Sequence, residues 1–446
     1  MNRRLLLAIL LVGALLAASC GSDDSSEGAT TSTTATSADP EPDVDPETEP
    51  DGDPEPDADP DAEVELTASD RGVTADTITL GIAITDVEVF APIGDLVEVY
   101  EALATLQNEA GGVGGREIVL ETEKWMILDT PAYDAACVAL TQDVDTFLIM
   151  GFLIRGFGGV ECFSTLEERI VINTEAISVD ELAAGNGRAM TVSPNLTDLI
   201  IDGLPLLTDE LAGANVAVYS GNDEGGDRID DAIDALELLG ATVVDSSVQV
   251  TGGEDLLAAE SELDLTVERW LTAGVEWVVN LDGSAAGSLA ALQRAGQNDI
   301  GFVTGTVVAT LEALGADVTL ANNILGIGAP LGDQVFVDGL HGVPECIERV
   351  SGELGVPIEP FVPEGEPDRL GVIARACGAW DVFVTFAEAA GPELTEESFL
   401  EAGAALGEFD MTGAPSGSYS PDKSFLGNID PAVFEFDREA NDFTPR

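Results

Sequence analysis

Residues 77–84 are TITLGIAI and residues 117–120 are EIVL, two apolar runs that are typical of buried strands. Between them, apolar residues at 96, 99, 103, 106 and 110 share one face of a helix over 95–110. A strand, a helix and a second strand in this order form a parallel unit, because the helix carries the chain back along the sheet.

The same alternation continues toward the C-terminus. We predict strands at 147–150, 170–172, 215–219, 242–244, 277–279, 302–303 and 324–327. We predict helices at 131–143, 160–168, 229–239, 284–296 and 373–387, and one more helix that ends near 273. The expected fold class is α/β, with two doubly wound parallel sheets in succession and helices on both faces of each.

The N-terminus carries the parts of a secretory signal. Arg3 and Arg4 precede an apolar run over 5–17, and small residues precede Cys20. The run is shorter than the roughly 20 residues that a membrane-spanning helix needs. A cysteine at the cleavage position resembles the bacterial lipobox, so we predict a signal peptide over 1–20 with Cys20 lipidated. The alternative is an ordinary secreted protein with a chance cysteine.

Residues 21–70 have the composition of a spacer. They are rich in Ser and Thr and then in Asp-Pro and Glu-Pro pairs, with no aromatic residue. Such a segment buries too little apolar surface to offset its ordering entropy, so we predict a disordered acidic linker. An acidic tail that binds cations or basic partners is the alternative.

The charge excludes one class of partner. Asp and Glu number 84 against 17 Lys and Arg. Nucleic acid is repelled by such a surface, since its binding depends on basic residues that neutralise phosphates. We therefore expect no nucleic-acid partner, and we interpret the acidic surface as salt-adapted.

Four cysteines remain if Cys20 is lipidated. Outside the cytosol they suggest two disulfides, for which three pairings are possible. Proximity in sequence favours Cys137–Cys162 and Cys346–Cys377. A zinc site is disfavoured because close Cys-x-x-Cys pairs are missing and His341 is the single histidine.

The motifs do not indicate an enzyme. A Ser-His-Asp triad would have to use His341, and no Gly-x-Ser-x-Gly elbow is present. Neither Lys124 nor Lys423 follows a phosphate-binding Gly-x-x-x-x-Gly run. A carboxylate pair for glycoside hydrolysis stays open among so many acids, but no particular pair stands out. We expect no catalytic metal and no cofactor.

Several stretches resemble type 1 periplasmic binding proteins of the leucine/isoleucine/valine and amide group. They are GVTADTITLG at 72–81, NEAGGVGGREI at 108–118, AMTVSPN at 189–195, VAVY at 216–219 and GSYS at 417–420. No one of these stretches is specific alone, but their order and spacing over about 72–440 support the resemblance.

The resemblance implies two lobes joined by three hinge crossovers, near 192, 329 and 426. Lobe 1 would be 72–192 plus 330–425, and lobe 2 would be 193–329 plus 426–446. It also implies the substrate-binding lipoprotein of an ABC importer, anchored to the outer face of the cell membrane. Such a receptor captures a small polar metabolite, amino acid-like or amide-like, between the lobes and delivers it to a permease. A ligand sensor of the same fold and, with less support, an extracytoplasmic hydrolase are the alternatives.

Ligand-binding residues should follow strands, because open α/β sheets bind ligands at the carboxyl ends of their strands. The resemblance places Thr174 or Ser178 at a ligand carboxylate and Asp282 at an ammonium group. Arg155 could hold a carboxylate through two hydrogen bonds or pair with a surface acid. The full predicted set is Phe90, Phe152, Arg155, Thr174, Ser178, Asn222, Asp282 and Thr306.

Overall fold

The computed structural model describes most of the chain from residue 66 onward. Within 66–446 it leaves out 88–95, 128, 155–158, 222, 252–255, 282–285, 306–316, 318–319, 321–322, 329–340, 357–369, 424 and 439–441. Residues Glu65–Arg446 form one compact unit. The predicted signal peptide, Cys20 and nearly all of the predicted linker lie outside the described residues and stay predictions.

The first sheet has five parallel strands, of which the sequence predicts the first four. They are β1 (Thr77–Asp86), β2 (Glu117–Met126), β3 (Leu148–Phe152), β4 (Ile170–Asn173) and β5 (Ala189–Thr191), in the order β2-β1-β3-β4-β5. The connecting α-helices are α1 (Leu96–Glu109), α2 (Thr130–Val138) and α3 (Val179–Gly185), and π-helical turns cover Ala139–Asp143 and Cys162–Leu166. The predicted strand at 117–120 is six residues longer than its apolar run.

The second sheet has seven strands and is mixed. It contains β6 (Asn215–Ser220), β7 (Thr242–Val248), β8 (Trp277–Asn280), β9 (Gly301–Thr304), β10 (Ile324–Gly328), β13 (Ala432–Asp437) and β14 (Asp442–Pro445). The order is β14-β13-β10-β9-β8-β6-β7, and β13 and β14 pair antiparallel. Its helices are α4 (Leu196–Gly203), α5 (Thr208–Leu211), α6 (Asp223–Asp227), α7 (Ile229–Leu239), α8 (Leu256–Ala273) and α9 (Ala286–Arg294).

Each sheet buries apolar side chains on both faces. Successive strand residues point to opposite faces, so Ile82 and Ala83 of β1 enter different hydrophobic clusters. Val278 and Val279 of β8 do the same in the second sheet. Burial on both faces explains why these strands are continuous apolar runs rather than alternating ones.

Three further helices and a hairpin pack against the first sheet or its helices. The helices are α10 (Val343–Leu354), α11 (Leu370–Ala390) and α12 (Glu396–Leu406), and the hairpin is β11 (Glu408–Met411) with β12 (Ala414–Ser418). Phe386 of α11 lies at the centre, with ring centroids 5.3 Å from Phe399, 5.2 Å from Phe409 and 5.8 Å from Tyr419. Sequence analysis identified α11 but not α10, α12 or the hairpin.

Both predicted disulfides are present. Cys137 bonds to Cys162 and Cys346 bonds to Cys377, with sequence separations of 25 and 31. The first joins α2 to the segment after β3, and the second joins α10 to α11. The pairings that proximity in sequence favours are therefore confirmed.

Two of the three predicted crossover positions lie among the described residues. Thr191, at the end of β5, forms a parallel bridge with Phe425, and its carbonyl accepts a 2.9 Å bond from Leu426 N. The chain segments near 192 and 426 therefore run side by side. The predicted crossover near 329 lies outside the described residues.

The folded unit begins slightly before the predicted end of the linker. Arg116 is almost fully buried, and its Nη2 donates to the carbonyls of Thr67 at 3.1 Å and Pro392 at 2.8 Å. Ser69 Oγ donates to Leu394 O at 2.6 Å. These bonds attach residues 66–70 to the fold. Among the described residues, no helix combines the length and the apolar composition that crossing a bilayer requires.

Candidate functional site

The loops after β3 and β4 are joined by one buried amide. Asn173, at the end of β4, accepts from Leu153 N at 2.9 Å and donates through Nδ2 to Leu153 O at 2.9 Å. The same Nδ2 donates to Glu175 O at 2.9 Å. Because Asn173 has no exposed surface, these bonds hold both loops rigidly at the carboxyl edge of the sheet.

The loop after β4 is also bonded to the first crossover. Thr191 Oγ1 donates to Glu175 O at 2.7 Å, and Ser193 Oγ donates to Thr174 O at 2.5 Å. The backbone of Glu175 is thus held from β4 and from the crossover at once. A side chain on such a support keeps its position when a ligand arrives.

A pocket of about 450 Å³ lies at this edge of the first sheet. Its volume is in the range of small-molecule sites. Apolar side chains dominate the described lining, which is Glu175, Ala176, Val192, Ser193, Pro194, Leu196, Val343, Leu370, Gly371, Ala374, Arg375, Thr412 and Gly413. Six elements meet here: the loop after β4, the first crossover, the start of α4, α10, α11 and the turn of the β11–β12 hairpin.

Glu175 and Arg375 form an ion pair in this pocket. Arg375 Nη1 donates to Glu175 Oε1 at 2.6 Å, and Arg375 Nε donates to Gly371 O of its own helix at 3.3 Å. The side chains are 29% and 33% exposed, so the pair is half-buried. Burial raises the pKa of the Glu175 carboxyl, and the neighbouring guanidinium opposes that rise.

Three of the eight predicted ligand residues are described, and each makes contacts within the fold. Phe152 lies in the hydrophobic core beside β1. Thr174 Oγ1 donates to Gly151 O at 2.9 Å and is almost fully buried. Ser178 caps α3, where its Oγ accepts from Glu181 N at 3.1 Å and bonds to Glu181 Oε2 at 2.9 Å. Their ligand roles stay predictions.

The other five predicted residues lie outside the described part of the chain. They are Phe90, Arg155, Asn222, Asp282 and Thr306. Leu153, two residues before Arg155, is fixed by Asn173 at the same edge as Glu175.

Sequence analysis missed Glu175 and Arg375. Glu175 could have been found, since it follows β4 by two residues and lies next to the predicted Thr174. Arg375 gives no comparable signal, because it lies on the long helix 200 residues away in sequence. Its proximity to Glu175 depends on the path of the whole chain.

A second pocket of about 490 Å³ opens between α1, α10, α11 and the hairpin. Thr412 Oγ1 donates to Asp381 Oδ2 on its wall, and Gly413 N donates to His341 O at 3.0 Å. A Cβ on Gly378 would lie 2.7 Å from Thr412 O, so a glycine is needed where the hairpin turn meets α11. Thr412 lines both pockets, and the hairpin turn thus separates them.

No family model and no curated protein matches the sequence. Solved structures, however, match the fold over most of the chain. An ABC transporter substrate-binding protein from Desulfitobacterium hafniense in complex with Leu is 15% identical with a TM-score of 0.60, covering 83% of this chain and 100% of its own. A periplasmic binding protein type 1 from Bordetella pertussis Tohama I is 13% identical with a TM-score of 0.61, again covering 83% and 100%.

A fatty acid ABC transporter substrate-binding protein from Thermomonospora curvata is 16% identical with a TM-score of 0.57, covering 85% of this chain and 93% of its own. The structure of this chain has an α/β architecture with parallel sheets, as the sequence predicted. The chain has the fold of the type 1 periplasmic binding proteins, and two of these three structural neighbours are ABC transporter substrate-binding proteins.

Proposed function

We propose that the protein is an extracytoplasmic solute receptor that captures a small polar metabolite and delivers it to an ABC permease. The observation that carries this proposal is the pocket of about 450 Å³ at the carboxyl ends of the first sheet. It lies where open α/β sheets bind ligands, and it touches the first crossover at 192–196. Binding at this position can be coupled to movement about the crossovers.

The proposal includes the two lobes predicted from the sequence, 72–192 with 330–425 and 193–329 with 426–446. The side-by-side segments at Thr191 and Phe425 support a hinge, because a few parallel chain segments can absorb a rotation together. We propose that ligand closes the lobes, and that Asp282, Asn222 and Thr306 then meet it from lobe 2.

A binding role fits the pocket better than catalysis. The hydroxyls of Ser193 and Thr412 in its lining donate to Thr174 O and to Asp381. His341, the single histidine, lines the other pocket. The described lining of this pocket therefore does not place a hydroxyl nucleophile beside a histidine base.

The proposed ligand is an amino acid-like or amide-like solute, as the sequence analysis expects. Among the structural neighbours, one is in complex with leucine and another is named for fatty acids. Both ligands have apolar bodies, as the apolar lining of this pocket requires. We propose a ligand of that shape with a polar head.

The test is ligand binding to the full-length mature protein. Amino acids, carboxamides and small carboxylates are screened by thermal unfolding, and a compound at 100 times its Kd should stabilise by about 2.7 kcal/mol. Small-angle scattering with and without the best compound then measures closure. Failure of every compound to stabilise the protein would overturn the receptor proposal.

Two further measurements test the finer parts. Arg155→Ala and Asp282→Ala should each weaken a zwitterionic ligand, whereas unchanged affinity would contradict their assignment. Cys20→Ser should release the protein from the membrane fraction if Cys20 carries the lipid. Uptake of the bound compound by cells, lost on deletion of the receptor, separates transport from sensing.

A further inference from the structure

The pocket at the edge of the first sheet carries opposite charges in equal number. Glu175 and Arg375 are the sole ionisable side chains among its described lining residues. The other side chains of that lining are apolar, apart from the hydroxyls of Ser193 and Thr412. A ligand therefore meets one carboxylate and one guanidinium side by side on an apolar wall.

The ion pair uses only part of its hydrogen-bonding capacity. Its bonds involve Glu175 Oε1 and Arg375 Nη1 and Nε. Within the described residues, no hydrogen bond occupies Glu175 Oε2 or Arg375 Nη2. Two residues that line the pocket thus keep one acceptor, Glu175 Oε2, and one donor, Arg375 Nη2, without a partner among the described residues.

The two side chains are held in place from different sides. The Glu175 carbonyl accepts from Asn173 Nδ2 and Thr191 Oγ1, which fixes the residue on the sheet. Arg375 is held on α11 by its bond to Gly371 O. The donor and the acceptor are therefore preorganised, and binding to them costs little conformational entropy.

We propose that Glu175 and Arg375 determine the specificity of the pocket, selecting a ligand with a net-neutral head that carries a donor beside an acceptor on an apolar body. This inference rests on the proposed receptor function. A ligand with one net charge would leave that charge, or one member of the pair, uncompensated in a half-buried site. A zwitterionic α-amino acid and a primary carboxamide both supply a donor and an acceptor without net charge.

The test uses four probes with the same branched apolar body. They are L-leucine as the zwitterion, 4-methylpentanamide as the neutral amide, 4-methylpentanoate as the anion and 3-methylbutylamine as the cation. Their affinities for the full-length mature protein are measured by calorimetry at pH 7 and pH 9. We expect the wild type to prefer at least one of the first two over both charged probes by about tenfold or more.

Removal of one charge should redirect the preference rather than abolish binding. Glu175→Gln leaves the guanidinium without its partner, so affinity for 4-methylpentanoate should rise about tenfold relative to 3-methylbutylamine. Arg375→Gln leaves the Glu175 carboxylate without its partner, so affinity for 3-methylbutylamine should rise relative to 4-methylpentanoate. The measurement at pH 9 is needed because loss of Arg375 removes the neighbour that lowers the pKa of Glu175.

The double variant Glu175→Gln/Arg375→Gln separates the two head groups. If the native head is an amino acid, L-leucine should lose its advantage over 4-methylpentanamide in this variant. If the native head is an amide, the amide should bind the wild type and the double variant alike. Arg294→Gln is the matched control, since Arg294 pairs with exposed Glu260 and Asp264 near the second sheet.

Several outcomes would overturn the inference while the receptor function stands. One is a wild-type preference for either charged probe, and another is an equal loss for all four probes in each folded variant, which would mean a purely structural ion pair. If none of the four probes binds, the test uses the library compound that does bind. A neutral or zwitterionic compound would support the inference, and a singly charged compound would contradict it. Absence of any binder would overturn the receptor function and this inference with it.

Discussion

The two sheets are built from the same strand–helix units, but they are held together by different means. The region of the first sheet contains both disulfides, which join α2 to the segment after β3 and α10 to α11. No cysteine lies between 163 and 345, so the second sheet depends on packing and on the antiparallel strands β13 and β14 at one end of the sheet. The covalently braced region is also the one that presents Glu175 and Arg375.

This difference indicates how rigidity is distributed. The pocket walls on the first sheet come from elements as far apart in sequence as residues 175 and 413. The Cys346–Cys377 disulfide, the hydrogen bonds of Asn173 and the core around Phe386 hold these elements together. The second sheet needs only its local core. We expect changes in its core to affect stability strongly without moving the described pocket.

The largest expected effect is in the core of the second sheet. Trp270 is fully buried, stacks edge-on against Tyr219 at 5.8 Å, and donates through Nε1 to Asp245 at 2.9 Å. Trp270→Ala should lower the free energy of unfolding by about 3–5 kcal/mol, since it removes a large ring and leaves a cavity. Urea denaturation followed by circular dichroism measures this, with Trp270→Phe as the milder control. A loss below about 1 kcal/mol would contradict the assignment of this side chain to the core.

Next in size is the brace of the first sheet. The Cys346–Cys377 disulfide closes a loop of 31 residues. The double variant Cys346→Ser/Cys377→Ser removes this cross-link and should lower the free energy of unfolding by roughly 3–4 kcal/mol. The loss should appear in the unfolding of the first-sheet region and leave that of the second unchanged. Hydrogen exchange resolved by peptide distinguishes the two regions. Equal loss of protection in both would show that the sheets unfold as one unit.

A smaller effect is expected at the start of α3. Ser178→Ala removes the N-cap bond to Glu181 N and should cost about 1 kcal/mol, while Ser178→Asp should retain most of the stability. Ligand affinity is measured on the same variants, to distinguish the capping role of Ser178 from its predicted role in ligand binding. An affinity loss in Ser178→Ala at unchanged stability would favour the ligand role over the cap.

The smallest effect is expected at the surface of the second sheet. Arg294 is 41% exposed and pairs with Asp264 at 2.7 Å, whose side chain is 54% exposed. Arg294→Gln should change stability by less than about 0.5 kcal/mol, and salt should reduce even that difference. Thermal unfolding at low and high salt checks it. A larger, salt-resistant loss would mean that Arg294 has a structural role that its exposure does not suggest.

The fold was largely predictable, and the candidate site was not. The runs at 77–84 and 277–279 predict buried parallel strands correctly, since a sheet covered on both faces leaves a continuous apolar run. Helix α10 could have been found from the sequence, since its buried residues Val343, Cys346, Ile347 and Val350 have the i, i+3, i+4, i+7 spacing of an amphipathic helix. Thr174 and Ser178 were chosen for their hydroxyls, yet those hydroxyls bond to Gly151 O and Glu181.

The sequence alone determined the order of strands β1–β4 and β6–β10 and of most helices between them, and it favoured the cysteine pairing that the structure shows. Both follow from local features, because hydrophobic periodicity and short loop closure act over a few tens of residues. Only the tertiary structure decided that Glu175 meets Arg375 and that Thr412 lies between two pockets. Such contacts join residues far apart in the chain, and their distances depend on how every intervening element packs, which no local pattern encodes.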